Sequence, residues 1–118
     1  MDIILKGNAI STNSCYFHIR TGIRIMTSKA RVLKEDYMWQ AKQQFKGKPL
    51  KENLEINIKI YKDRKIKYDW DNFHKLSMDS LTGIVWEDDS QIQKATVEKF
   101  YDKENPRIEL HIKKITTN

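Results

Sequence analysis

The chain has 118 residues, 22 Lys+Arg against 16 Asp+Glu for a formal net charge of +6, and 39% hydrophobic residues. That balance fits one globular domain spanning 1–118, with a modest core, and excludes disordered and collagen-like classes. No apolar run nears the roughly 20 residues of a bilayer span, and one cysteine, Cys15, excludes an internal disulfide or a thiolate zinc site.

The opening, Met1 to Ile10, has Asp2 beside the first methionine and no small-residue cleavage site, so a cytoplasmic chain without a secretory signal is expected. Ile3 to Leu5 reads as a short strand. Cys15 to Arg20 and Ile23 to Thr27 alternate apolar and polar residues around Thr21-Gly22, which predicts a β-hairpin. Ser28 is placed to cap a helix running to about Gln44, with Leu33, Tyr37, Ala41 and Gln44 at helical spacing. Leu54, Ile56, Ile58 and Ile60 alternate with polar residues and give the clearest strand.

A second helix is expected over Asp69 to Leu81, stopped by Gly83. It would gather Phe73, Leu76, Ser77 and Ser80 on one side and Asp71, Lys75 and Asp79 on the other. Gln91 to Tyr101 reads as a strand whose apolar phase shifts between Ile92 and Val97, the mark of a bulge. A turn at Lys103 to Pro106 leads into a last strand, Arg107 to Ile115. The expected fold class is α+β: one mixed, antiparallel-leaning sheet with β-hairpins and two main helices.

Charge is distributed in blocks. Residues 28–67 hold twelve bases and five acids, whereas residues 69–89 hold six acids and one base. A basic block suits a polyanion, because Lys and Arg displace condensed counterions from phosphates. An acidic centre inside it would repel that polyanion unless a divalent cation neutralised it. In Asp69-Trp70-Asp71-Asn72, one Asp or Asn is equally suited to capping a helix. Asp88-Asp89 returns carboxylates from another element, and hard oxygens from two elements suit Mg²⁺. Such an ion acidifies a water for attack on a phosphodiester.

The run Asp69-Trp70-Asp71-Asn72-Phe73-His74-Lys75, then Met78-Asp79-Ser80-Leu81-Thr82-Gly83, then Glu87-Asp88-Asp89-Ser90-Gln91, closely resembles the RusA family of Holliday junction resolvases. That family carries D-x-D-N-x-x-K, then D-A-L-x-G, a short apolar run, and D-D-x-Q. Its N-terminal P-P-S-x-N departs here to Ile10-Ser11-Thr12-Asn13, which keeps Ser and Asn without the prolines.

The resemblance implies a homodimeric endodeoxyribonuclease that binds four-way DNA junctions and, with Mg²⁺ or Mn²⁺ in its place, makes paired symmetric nicks. It needs no organic cofactor and no membrane. By the same resemblance Asp69, Asp71 and Asp89 hold the metal, Lys75 is the functional lysine, and Asp79 and Asp88 are supporting acids. Lys62, Arg64, Lys65 and Lys67 precede the acidic segment and are read as phosphate contacts, with Asn13 a weaker one. Trp39, Trp70 and Trp86 are read as core or dimer packing residues, and Cys15 as a packed strand residue. Three rivals stay open: a metal nuclease for other branched DNA, an inactive junction-binding architectural protein, and a basic protein-binding module.

Overall fold

The alternation of Leu54, Ile56, Ile58 and Ile60 is realised as β4 (Leu54–Lys62), an inner strand of a four-stranded sheet in the computed structural model, which describes residues 1–71 and 73–115. The other strands are β1 (Asp2–Lys6), β5 (Ile92–Tyr101) and β6 (Arg107–Lys114), in the order β1-β6-β4-β5. β1 and β4 both run antiparallel to β6. β4 and β5 are parallel, since the chain leaves β4 and returns through a helix before entering β5. The expected bulge is present: Leu54 faces Ile92 but Glu55 faces Lys94, so Gln93 is the extra residue.

Period two divides the sheet into a covered and an open face. Ile3, Leu5, Ile56, Ile58, Ile60, Ile108 and Leu110 are fully buried under the helices. Glu55, Asn57, Lys59 and Glu109 face the other way, toward water. The main helix, α2 (Ser28–Gln44), is capped by Thr27 and not by Ser28, which is its first helical residue; the Thr27 side chain accepts from the Ala30 N–H, and the helix buries Ala30, Tyr37 and Ala41.

Along its flank α2 presents two glutamines to the backbone of edge strand β1. Gln44 accepts from the Ile4 N–H at 2.8 Å and donates to the Ile4 carbonyl at 2.7 Å. Gln40 does the same at Lys6, at 2.7 and 3.0 Å.

A one-turn helix, α1 (Thr12–Cys15), opens with Ser11 accepting from the Ser14 N–H. Cys15 is buried there rather than in a strand, donating to the Ser11 carbonyl at 3.2 Å. The expected hairpin follows as β2 (Tyr16–His18) and β3 (Arg24–Met26), a separate two-stranded sheet.

The second helix is shorter than its periodicity suggests. α3 spans Lys75–Leu81, and the segment from Asp69 enters it as an irregular turn. Asp side chains compete for nearby backbone groups and favour such turns over helix interiors. Asn72 lies outside the described residues. The buried side is as expected, with Phe73, Leu76, Ser77 and Ser80 inward. Trp86 completes the core, fully buried with its indole N–H donating to Thr82 at 3.1 Å. Trp39 and Trp70 do not pack in the core: they are 62% and 60% exposed.

Candidate functional site

Beside β5, on the helix-bearing side of the sheet, lies an open cavity of about 500 Å³. Ile58 of β4, Ala95 and Val97 of β5 and Met78 of α3 give it an apolar floor. Charge enters from two elements: Lys75 and Asp79 from α3, and Asp89 from a short 3₁₀ turn, Asp89–Gln91, that leads into β5. Trp70 and His74 close one side, their rings stacked with centroids 6.1 Å apart.

Each group in this cavity is set by local physics. Lys75 and Asp79 stand one helical turn apart, and their charges meet at 3.6 Å. Asp88 caps the 3₁₀ turn: its carboxylate accepts from the Ser90 N–H and hydroxyl. Those Ser90 bonds hold it below the usual carboxylate range. That leaves the next carboxylate, Asp89, exposed on the cavity rim. Gln91 fixes the turn from behind. It accepts from the Asp88 N–H at 2.8 Å, and donates to the carbonyls of Leu50 at 2.8 Å and Glu52 at 2.9 Å.

His74 is half-buried, and burial depresses its pKa against the opposing pull of Asp71 and Asp79. Its Nδ1 has no hydrogen-bond partner among the described residues. Asp71 therefore lies within electrostatic reach of the cavity wall, although neither it nor Asp69 lines the cavity. Both are exposed on the turn before α3.

The donor set is chemically suited to a hard divalent cation, being carboxylate oxygen throughout. Mg²⁺ asks for only one or two such groups, with water and phosphate oxygens completing its shell. Among the described residues no three His, Cys, Asp or Glu side chains gather closely enough to hold an ion. The fold thus brings Lys75, Asp79 and Asp89 together and leaves Asp69 and Asp71 at the approach.

The basic residues divide sharply. Arg64, Lys65 and Lys67 are exposed, and Lys65 lies 5.5 Å from the Tyr101 ring. Lys62 departs from the expected phosphate contact. It is 5% exposed, its ammonium donates to the Ala9 carbonyl at 2.6 Å, and it sits 4.4 Å from the Phe73 ring. Burial lowers its pKa. Lys62 ties the N-terminal loop to the end of β4, its ammonium taken up by a backbone carbonyl inside the fold. Asn13 is exposed on α1, in a polar cleft shared with Thr12, Tyr16, His18 and Arg24.

Gln91 stands in the D-D-x-Q run, yet the sequence reading assigns it no part of its own; its hydrogen bonds make it the residue that fixes the turn beneath Asp89. Its signal is the spacing Asp88-x-x-Gln91, a capping box in an acidic setting. A family model described as endodeoxyribonuclease RusA matches residues 7–113. No curated protein matches the chain.

Proposed function

The chain belongs to the RusA endodeoxyribonuclease family, and from that premise we propose that it resolves four-way DNA junctions as a Mg²⁺-dependent homodimer, with Mn²⁺ able to replace Mg²⁺. Enzymes of this family are endodeoxyribonucleases acting on junction DNA and are generally dependent on a divalent metal. The observation that carries the reading to this chain is the cavity that sets Asp89 opposite Lys75 and Asp79, beside the Asp69–Asp71 turn.

In this reading Asp69, Asp71 and Asp89 would hold the metal, and such an ion would supply an acidified water and offset charge on the phosphoryl oxygens. The chain's own residues do the rest. Lys75, already paired with Asp79, supplies positive charge against the negative phosphate of the transition state. Asp88 and Gln91 fix the turn that presents Asp89. Arg64, Lys65 and Lys67 bind backbone phosphates on the approach, with Asn13 a contact from α1. Hydrolysis would join a water oxygen to phosphorus as the P–O3′ bond breaks, with the water's proton lost to solvent and one gained from solvent by O3′, leaving 5′-phosphate and 3′-hydroxyl ends.

A homodimer suits a two-fold junction that needs two matching cuts. The enzyme acts in the cytoplasm of a bacterial or phage-infected cell; no helix among the described residues is long and apolar enough to cross a membrane.

End-labelled four-way junction, fork, flap and linear duplex, each with Mg²⁺ or EDTA, test this. The expected result is paired symmetric nicks on the junction alone, absent with EDTA. Preferential cutting of forks or flaps moves the substrate to other branched DNA. Tight junction binding without cutting under either metal makes the chain a binding protein, and no salt-dependent DNA affinity removes DNA altogether.

A further inference from the structure

The sheet has two edges, and the chain treats them differently. The outer backbone of β1 is closed by Gln40 and Gln44, whose side-chain amides pair with Lys6 and Ile4 as a neighbouring strand would. Their one-turn spacing of about 6 Å along the helix matches the roughly 6.8 Å between alternate strand residues. β5, at the opposite edge, is ten residues long and mostly exposed. Among the described residues no side chain or loop bonds its outer backbone. An open edge of that length is a template for another strand.

Resting on the homodimer reading above, we propose that β5 pairs antiparallel with β5 of a second copy, about a two-fold axis through Thr96. A two-fold axis perpendicular to the sheet keeps open face on open face, so each residue must meet one from its own face. On the open face β5 carries Lys94, Thr96 and Glu98, beside Glu55, Asn57 and Lys59 of β4. On the covered face it carries Ala95 and Val97, beside Ile56 and Ile58.

Centring on Thr96 sets Lys94 against Glu98 of the partner subunit, twice, and Ala95 against Val97 of the partner subunit, twice. Centring on Ala95 or Val97 leaves one of these charges opposite Thr96, and centring on Lys94 or Glu98 puts like charges together. Within one chain Lys94 already pairs with Glu55 at 3.3 Å. The row Glu55, Lys94, Glu98 of the partner subunit, Lys59 of the partner subunit therefore alternates in sign across the seam. The axis also keeps both cavities on one side of the joined sheet, because Ala95 and Val97 line each of them. Two equivalent sites then face one junction.

Analytical ultracentrifugation of the full chain tests the seam. The wild type sediments as a dimer. Lys94→Glu alone and Glu98→Lys alone each weaken association by roughly tenfold, since two ion pairs become two like-charge pairs. A one-to-one mixture of the two variants recovers dimer, because every pair across the seam again has opposite signs. Wild-type association of either variant, or a mixture no stronger than its components, overturns the seam.

A Thr96→Cys variant gives a second readout that tolerates weak association. It crosslinks to itself with a short bis-maleimide while Phe100→Cys does not, and the buried Cys15 stays silent; the reverse pattern overturns the assignment. A monomeric wild type overturns the seam and the dimer together. Junction nicking, assayed separately, decides the nuclease reading by itself.

Discussion

Asp88 and Asp89 are neighbours in sequence and opposites in use. The first spends its carboxylate on Ser90 as a cap, and the second stands on the cavity rim. Asp88→Ala should therefore lower the urea unfolding midpoint, because the Ser90 N–H and hydroxyl lose their acceptor. Asp89→Asn should leave the unfolding midpoint in place and abolish cutting. Adjacency presents both as one acidic pair, and what separates them is the 3₁₀ turn whose sequence signal is the Asp88-x-x-Gln91 spacing.

Lys62 carries the converse lesson. It stands in a basic run, yet its place in the strand period (54, 56, 58, 60, 62) puts it on the covered face, and that signal is legible in the residues. Lys62→Met should destabilise the fold by about 1–3 kcal/mol, leaving the Ala9 carbonyl unsatisfied. It should not change the salt dependence of DNA binding. Lys65→Ala should do the reverse, lowering the slope of log K against log salt by about 0.9, because one fewer phosphate is neutralised. Binding titrations at several salt concentrations separate the two.

At the scale of elements, strands are the most legible because alternation is a direct record of a half-buried sheet. β4, β6 and the bulge at Gln93 follow from it. The parallel pairing of β4 and β5 does not, since strand direction is settled by the path of the intervening chain. The start of α3 misleads for a related reason: spacing from Asp69 to Leu81 fits a helix, but α3 opens only at Lys75, in keeping with the preference of Asp for turns over helix interiors. Gln40 and Gln44 also escape notice, because one-turn glutamine spacing gains meaning only beside an open strand. Gln40→Ala with Gln44→Ala should cost about 1–2 kcal/mol in net hydrogen bonding. It should also produce association at β1 that light scattering detects as concentration rises.

Across the whole molecule, a basic block and an acidic centre share one small domain. Residues 28–67 carry net +7 and residues 69–89 net −5. The fold separates these roles: exposed cations lie along the loop after β4, and the carboxylates gather at the cavity and the turn before it. Cationic flanks attract DNA over distances near the Debye length, while the acids at the centre oppose phosphate until a cation offsets them. Removing one acid should thus uncouple binding from cutting.

The measurement that tests this most directly follows binding and cleavage of one four-way junction by Asp71→Asn and the wild type, under Mg²⁺. Asp71→Asn should bind the junction as tightly or more tightly, because a repulsive charge is gone, and should cut it at least ~10³-fold more slowly. Cleavage by Asp71→Asn at the wild-type rate would contradict the assignment of these carboxylates to the chemistry.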